Sequence, residues 1–437
     1  MNAPCRERTT CRLCGCSALE LAFKLPATPP ANALRTGVEG APPMYYPLEV
    51  RVCLDCSHSQ LGHVVDPQLL FGKYTYMSGV SKAFSAHLKQ LAESIVQRCA
   101  GLDLSRQPDQ PLHIIEVGSN DGTLLKHFEE LGHKACGIDP AINLVGVTRD
   151  RGLKAVHGPY NPGTHLAAER ELGGYCDVLV ANNVLAHIDD LEGVFKMAAK
   201  AHVKHVVFEV QYLVDLLESG SFDMVYHEHL DYHALTPLMR ALPKWSYFVH
   251  HVEHVDTHGG SLRVWARHIP PGGQLPMLRE DDELLALEKR EHNLGMWLPA
   301  GRPGWVEQWS QLQTKVDIKK REVQRLFHPT DGSYSAMKKV IYGAPAKLTT
   351  FMAGLSLAPE SFAYVVDDAP SKVGLFTPDG ALRIEPSTVL KDAAYAPDVV
   401  LVAAWNLFDD ILARLRAVNF KGYVVRCFPE MRVVALD

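Results

Sequence analysis

Long apolar runs are missing from this chain. No stretch of its 437 residues reaches the roughly 20 apolar residues that a bilayer span needs, and Met1-Asn-Ala-Pro-Cys-Arg-Glu-Arg8 lacks an apolar signal core. An excess of one charge is missing too. Lys+Arg 44 against Asp+Glu 50 leaves −6, which offers no footprint for nucleic acid or an anionic membrane. These absences predict a cytoplasmic protein without nucleic-acid or membrane partners. Two catalytic signatures are incomplete. A dinucleotide fingerprint would need Gly at 120 and 123, which hold Asn120 and Thr123, so hydride transfer loses support. A zinc-peptidase helix would need His-Glu-x-x-His, but His227-Glu228 is followed by His229, and position 231 is Asp.

What is present fits a globular chain of two or three domains, with 47% hydrophobic and 22% charged residues. Cysteine is unevenly spread. Cys5, Cys11, Cys14, Cys16, Cys53 and Cys56 crowd the first 56 residues, a pattern of metal ligands rather than disulfides in a reducing compartment. Cys11-x-x-Cys14 and Cys53-x-x-Cys56 turn four thiolates toward one point, a closed tetrahedral site for structural Zn2+. Cys16 is an alternative ligand. The segment between the pairs holds Pro26, Pro29, Pro30, Pro42, Pro43 and Pro47, and reads as loop held by its ends. No basic cluster supports a nucleic-acid ribbon.

Past residue 80 the pattern becomes α/β. A helical stretch, Ala83 to Val96, precedes Pro111-Leu-His-Ile-Ile-Glu-Val-Gly-Ser-Asn-Asp-Gly122 and the helical Thr123-Leu-Leu-Lys-His-Phe. Strand, tight turn and helix in that order make a nucleotide site in an open sheet. Gly118 and Gly122 flank Asn120, which tolerates positive φ. A second strand ends in Asp139, placed for a ribose diol. Later strands start at Asp177, ending in Asn182-Asn183, and at His205. Beyond a long helix with Trp305, Trp309, Leu312, Val316, Val323 and Leu326 on one face, Lys338 to Lys347 opens a second strand–turn–helix unit. Phe362–Asp368 and Asp398–Asn406 add strands. The expected domains are 1–78 (zinc-binding module), 79–272 (Rossmann-like domain), 273–328 (helical linker) and 329–437 (second α/β domain with a parallel sheet).

One stretch is unusual. Phe222-Asp-Met-Val-Tyr-His-Glu-His-Leu-Asp-Tyr-His233 packs three His, two Tyr, one Glu and two Asp into twelve residues. With peptidase geometry excluded, acid/base work remains: His titrates near neutrality, Tyr can hold an oxyanion, and Glu can orient an imidazole.

Taken in order, the motifs resemble those of the nucleotide-sugar C-methyltransferases over nearly the whole chain. They are the paired CxxC, Tyr46-Pro-Leu-Glu and Tyr74-Thr-Tyr-Met-Ser-Gly; then Glu-Val-Gly-Ser-Asn-Asp-Gly, Tyr226-His-Glu-His and His258-Gly-Gly-Ser-Leu-Arg263; then Tyr342-Gly-Ala-Pro-Ala-Lys347, Val366-Asp-Asp and Ala404-Trp-Asn406. The resemblance implies S-adenosylmethionine as cofactor, a structural zinc, and an NDP-linked 4-keto-6-deoxysugar methylated beside the ketone, usually at C3. It places the cofactor at Gly118, Asn120, Asp139 and Asn182. It makes His229 the base, supported by Tyr226 and Glu228, with Tyr76 and His187 lining the sugar site. Lys347 and Arg263 would help hold the nucleotide diphosphate. Leu348 stands where the family motif usually has glycine. A carbon nucleophile needs a C–H beside a ketone, a base and donors for the enolate, which these residues supply. Two other readings stay open at this point: methylation of oxygen or nitrogen, and a non-catalytic zinc-ribbon scaffold that binds nucleotide.

Overall fold

The computed structural model describes residues 4–437 apart from 38, 40, 73, 75–76, 103–106, 108–109, 270–271, 274–280, 297–303, 393 and 429. Tyr76 therefore lies outside the described residues.

The proline-rich segment does not behave as a loop throughout. Leu19–Thr28 and Tyr46–Cys53 are long antiparallel strands. Pro26 is tolerated because it sits where the register shifts, between Leu25 and Thr28, at an irregularity that demands no ladder N–H. Alternation puts Leu48, Val50 and Val52 on the buried face. Ser59–Leu61 extends this sheet, and the fourth strand, Asp231–Tyr232, comes from the dense stretch itself.

The central sheet has seven strands. Ala155–His157, Lys134–Asp139, His113–Val117, Val178–Asn182 and His205–Gln211 run parallel in that spatial order. Ser261–His268 pairs antiparallel with His205–Gln211 and carries Tyr247–Val255 at the edge. The buried strands read as near-continuous apolar runs because helices cover both faces. Chain order reverses between His113–Val117 and Val178–Asn182, and the crevice above their carboxyl ends is where such sheets bind ligands.

The C-terminal domain repeats the plan. Ile384–Glu385, Val365–Val366, Lys339–Tyr342, Val399–Val402 and Gly422–Arg426 are parallel, and Arg432–Leu436 closes one edge antiparallel. Gly304–Phe327 is one long helix whose buried face includes Trp305, Trp309, Leu312, Val316, Val323 and Phe327. Trp309 pins it to the N-terminal sheet: its ring lies 5.4 Å from Phe23 and 5.3 Å from Tyr232, and its N–H donates to Ser59 Oγ at 3.0 Å. A fully buried indole with a satisfied N–H contributes about 1.5–3 kcal/mol or more of apolar burial. Among the described residues no helix is long and apolar enough to cross a membrane.

Candidate active site

The four thiols come together as the spacing predicts. Cys11, Cys14, Cys53 and Cys56 place their sulfurs within 4.8 Å of one another, with Cys11–Cys56 and Cys14–Cys53 each at 3.5 Å. Tetrahedral zinc at about 2.3 Å from each sulfur requires sulfurs about 3.8 Å apart, so the set fits the ion. Cys16 is not in the cluster; its sulfur accepts the Ala18 N–H at 3.3 Å.

Above the central sheet, the turn after His113–Val117 curls through three left-handed residues: Gly118 at φ 68°, Asn120 at 51° and Gly122 at 77°. Gly118 is also closely approached, since a Cβ there would fall 2.4 Å from Val184 Cγ2. Asp139 ties the turn to the neighbouring strand. Its Oδ2 accepts the Asn120 N–H at 2.9 Å and its Oδ1 the Ala141 N–H at 2.8 Å. Burial raises the Asp139 carboxyl, and those two N–H donors pull it partly back. Two buried acceptors beside this crevice, Glu116 Oε2 and Asn182 Oδ1, have no hydrogen-bond partner among the described residues. A glycine-lined crevice edged by unsatisfied acceptors fits a donor-rich, cationic nucleoside such as S-adenosylmethionine. Sequence reasoning passed over Glu116. Its signal was a carboxylate inside a run that otherwise reads as a fully buried strand; burial and the nearby charges of Asp139 and Asp121 hold its carboxyl well above the ordinary range.

The dense stretch separates into core and site. His227 is buried, with Nε2 donating to the Tyr46 carbonyl at 3.1 Å, and burial lowers it to about 4. His233 is likewise lowered to about 4 by burial. Both are neutral packing residues. His229 differs. Its Nδ1 donates to the Met224 carbonyl at 2.9 Å, which leaves Nε2 as an acceptor, and the Tyr226 hydroxyl donates to it at 2.8 Å. Burial and the surrounding acids hold the Tyr226 phenol well above its ordinary value, so it stays protonated. His187 faces this pair, its ring 5.1 Å from that of His229, with Nδ1 donating to the Glu228 carbonyl at 2.6 Å. Burial lowers its pKa. The Glu228 carboxyl accepts from Asn32 Nδ2 at 2.6 Å and the Tyr74 hydroxyl at 3.2 Å, and burial pushes it up to about 7. Asn32 comes from the N-terminal module. It was missed because nothing local in sequence links it to residue 228.

Lys347 and Arg263 each sit in an ion pair with a carboxylate. Lys347 Nζ pairs with Asp223 Oδ2 at 3.2 Å and lies 3.8 Å from the centre of the Trp405 ring, whose N–H donates to the same carboxylate oxygen at 2.7 Å. Burial lowers the Lys347 amine. Leu348 opens the helix Leu348–Leu355 and is buried, so no positive φ is needed where the family motif has glycine. Arg263 joins Glu209 at 3.1 Å and Glu253 at 3.0 Å, in a network that includes His87.

Three family models match the chain in series: a zinc binding domain over residues 11–71, a methyltransferase domain over 84–244 and a C-methyltransferase C-terminal domain over 256–429. The chain is 28% identical over 434 residues to C-methyltransferase NovU of Streptomyces niveus, covering 98% of this chain and 97% of that one. Among solved structures, magnesium protoporphyrin IX methyltransferase from Synechocystis PCC 6803 aligns at 14% identity over 41% of this chain and 79% of its own, with a TM-score of 0.31. The PH0226 protein from Pyrococcus horikoshii OT3 aligns at 12% identity over 44% and 95%, with a TM-score of 0.33.

Proposed function

Since the chain belongs to the S-adenosylmethionine-dependent C-methyltransferases, we propose that it methylates C3 of an NDP-linked 4-keto-6-deoxysugar through an enolate. The non-catalytic scaffold reading falls with that membership. The observation that carries the proposal is the pair Tyr226–His229: an imidazole oriented by its Nδ1–H on the Met224 carbonyl, whose Nε2 meets a protonated phenol.

When bound, adenosylmethionine supplies an electrophilic methyl group on a sulfonium. The remaining tasks fall to the protein. A C–H beside a ketone must lose its proton, and His229 Nε2 is the base for it. In the free protein Tyr226 occupies that nitrogen. With a ketone in the site the phenol turns to donate to the ketone oxygen, which exposes Nε2 to the α-hydrogen and steadies the enolate. In this reading His187 and Glu228 line the same space, and Tyr76 keeps the sugar-site role that the family resemblance gives it. Gly118, Asn120, Asp139 and Asn182 form the cofactor side, to which we add Glu116. The domain limits 1–78, 79–272, 273–328 and 329–437 belong to the same proposal, with the C-terminal domain on the nucleotide side.

The test separates the two half-reactions. Incubated in D2O with a keto-sugar nucleotide and adenosylhomocysteine, wild type exchanges the hydrogen beside the ketone. His229→Ala loses exchange and methylation by about 10²–10⁴-fold, and Tyr226→Phe loses less. Near-normal methylation by His229→Ala would remove it as the base, and a methyl found on oxygen or nitrogen by product NMR would overturn the carbon assignment.

A further inference from the structure

We propose that Arg12 is a positioning residue that sets the two histidine loops of the site against each other, from an anchor in the zinc knuckle. The proposal rests on the reading of His229 as the base. Arg12 lies inside Cys11-x-x-Cys14, at the N-terminal end of the molecule's sequence, yet its side chain is completely buried. Its Nη1 donates to the carbonyl of Leu230 at 3.1 Å and of Leu61 at 3.0 Å, and its Nε donates to Asp189 Oδ1 at 2.8 Å. Asp231 Oδ1 stands 3.8 Å from Nη1. Leu230 is the residue after His229, and Asp189 is two residues after His187. One guanidinium therefore spans both loops.

The contacts around it are arranged to transmit that position. The Leu230 N–H donates to the Ala186 carbonyl at 2.7 Å, and the Leu61 N–H donates to the Leu230 carbonyl at 2.8 Å, so the loops meet at the point the guanidinium holds. The Arg12 backbone N–H donates to Gln60 Oε1 at 2.8 Å, which fixes the base of the side chain. Cysteine ligands on either side hold the same backbone when zinc is bound. Only arginine meets the demand: a planar fork reaches carbonyls and a carboxylate in fixed directions at once, whereas an ammonium is a point charge. Burying this cation is tolerated because Asp189 and Asp231 offset it. The distance of 5.1 Å between the His187 and His229 rings depends on how the two loops sit together, and displacement of a reacting group by about 1 Å costs up to about 10²-fold in rate.

The experiment uses the full zinc-loaded chain, with Arg12→Ala, Arg12→Lys and, as reference, His229→Ala. Arg12→Ala is expected to keep its zinc and its affinity for adenosylmethionine, while kcat falls about 10–100-fold and KM for the keto-sugar nucleotide changes little. Millimolar guanidinium chloride should raise kcat of Arg12→Ala without changing cofactor affinity, and Arg12→Lys should recover only part of the rate. If Arg12→Ala fails to fold, Arg12→Lys carries the same comparison. Wild-type kcat in both Arg12 variants with an inactive His229→Ala overturns the positioning role alone. So does a loss of zinc or of cofactor affinity in step with kcat, which would make Arg12 a general structural residue. A fully active His229→Ala removes the base assignment, and this proposal with it.

Discussion

Glu228 is the side chain in which environment changes chemistry most clearly. Its carboxyl moves from an ordinary 4.5 to about 7 because burial disfavours the ion, even though Asn32 and Tyr74 donate to it. In the unfolded chain it ionises near its ordinary value. Below that value both states carry the proton and folding is unpenalised. As pH rises toward 7 the unfolded chain releases a proton that the folded one keeps, so stability falls, by about 3 kcal/mol in all. Glu228→Gln stays neutral throughout, and its amide can still meet both neighbours. Denaturant melts of wild type and Glu228→Gln should therefore coincide at low pH and diverge by about 3 kcal/mol by pH 8, with the variant more stable. Parallel melts across the range would show that the carboxyl ionises normally. The same scale shows where sequence reading stops. His227, His229 and His233 look alike in the sequence. They part only through distant or backbone partners, the Tyr46 carbonyl for one and the Met224 carbonyl for another, which no local pattern encodes.

Among the elements, the turn Gly118–Gly122 was the most legible. Its glycines and Asn120 are there for positive φ, and the structure shows positive φ at all three positions. Gly118→Ala should therefore carry two penalties: backbone strain of about 1–3 kcal/mol, and a Cβ driven into Val184. Calorimetry should show weakened adenosylmethionine binding in Gly118→Ala. Adding Val184→Ala should recover the part due to the clash but not the part due to φ. An undiminished affinity in the single variant would move the cofactor away from this turn. The long helix was legible from its apolar face, although Phe327 takes the buried place read for Leu326, which is half-buried. The N-terminal strands were not, because proline density hid an alternating pattern. Leu48, Val50 and Val52 sit between Pro47 and Cys53, and their period of two was the available signal.

At the scale of the whole molecule, the stretch 222–232 is held from both ends. Its start is gripped by the C-terminal domain through Lys347 and Trp405 on Asp223; its end is a strand of the N-terminal sheet. The sequence motifs located these segments, but the pairing of Lys347 with Asp223 joins residues far apart in the chain and could not be read from either. Lys347→Met should leave Asp223 buried without its cation and cost about 3–5 kcal/mol in a denaturant melt, most of it recovered by Asp223→Asn in the same chain. An unchanged melt with weakened sugar-nucleotide binding would instead return Lys347 to the diphosphate. The strand Asp231–Tyr232 has a further consequence, for the order of events at the ribosome. His58 and Asp231 are hydrogen-bonded across 173 residues, so the N-terminal sheet stays one strand short until more than half of the polypeptide has been synthesised. A nascent or truncated chain of residues 1–78 can gather its four cysteines but leaves Ser59–Leu61 as an open edge, the kind of surface that pairs with other chains. Produced alone, that fragment should bind zinc and self-associate in a sedimentation experiment, and supplying residues 229–233 on a tether should return it to a monomer.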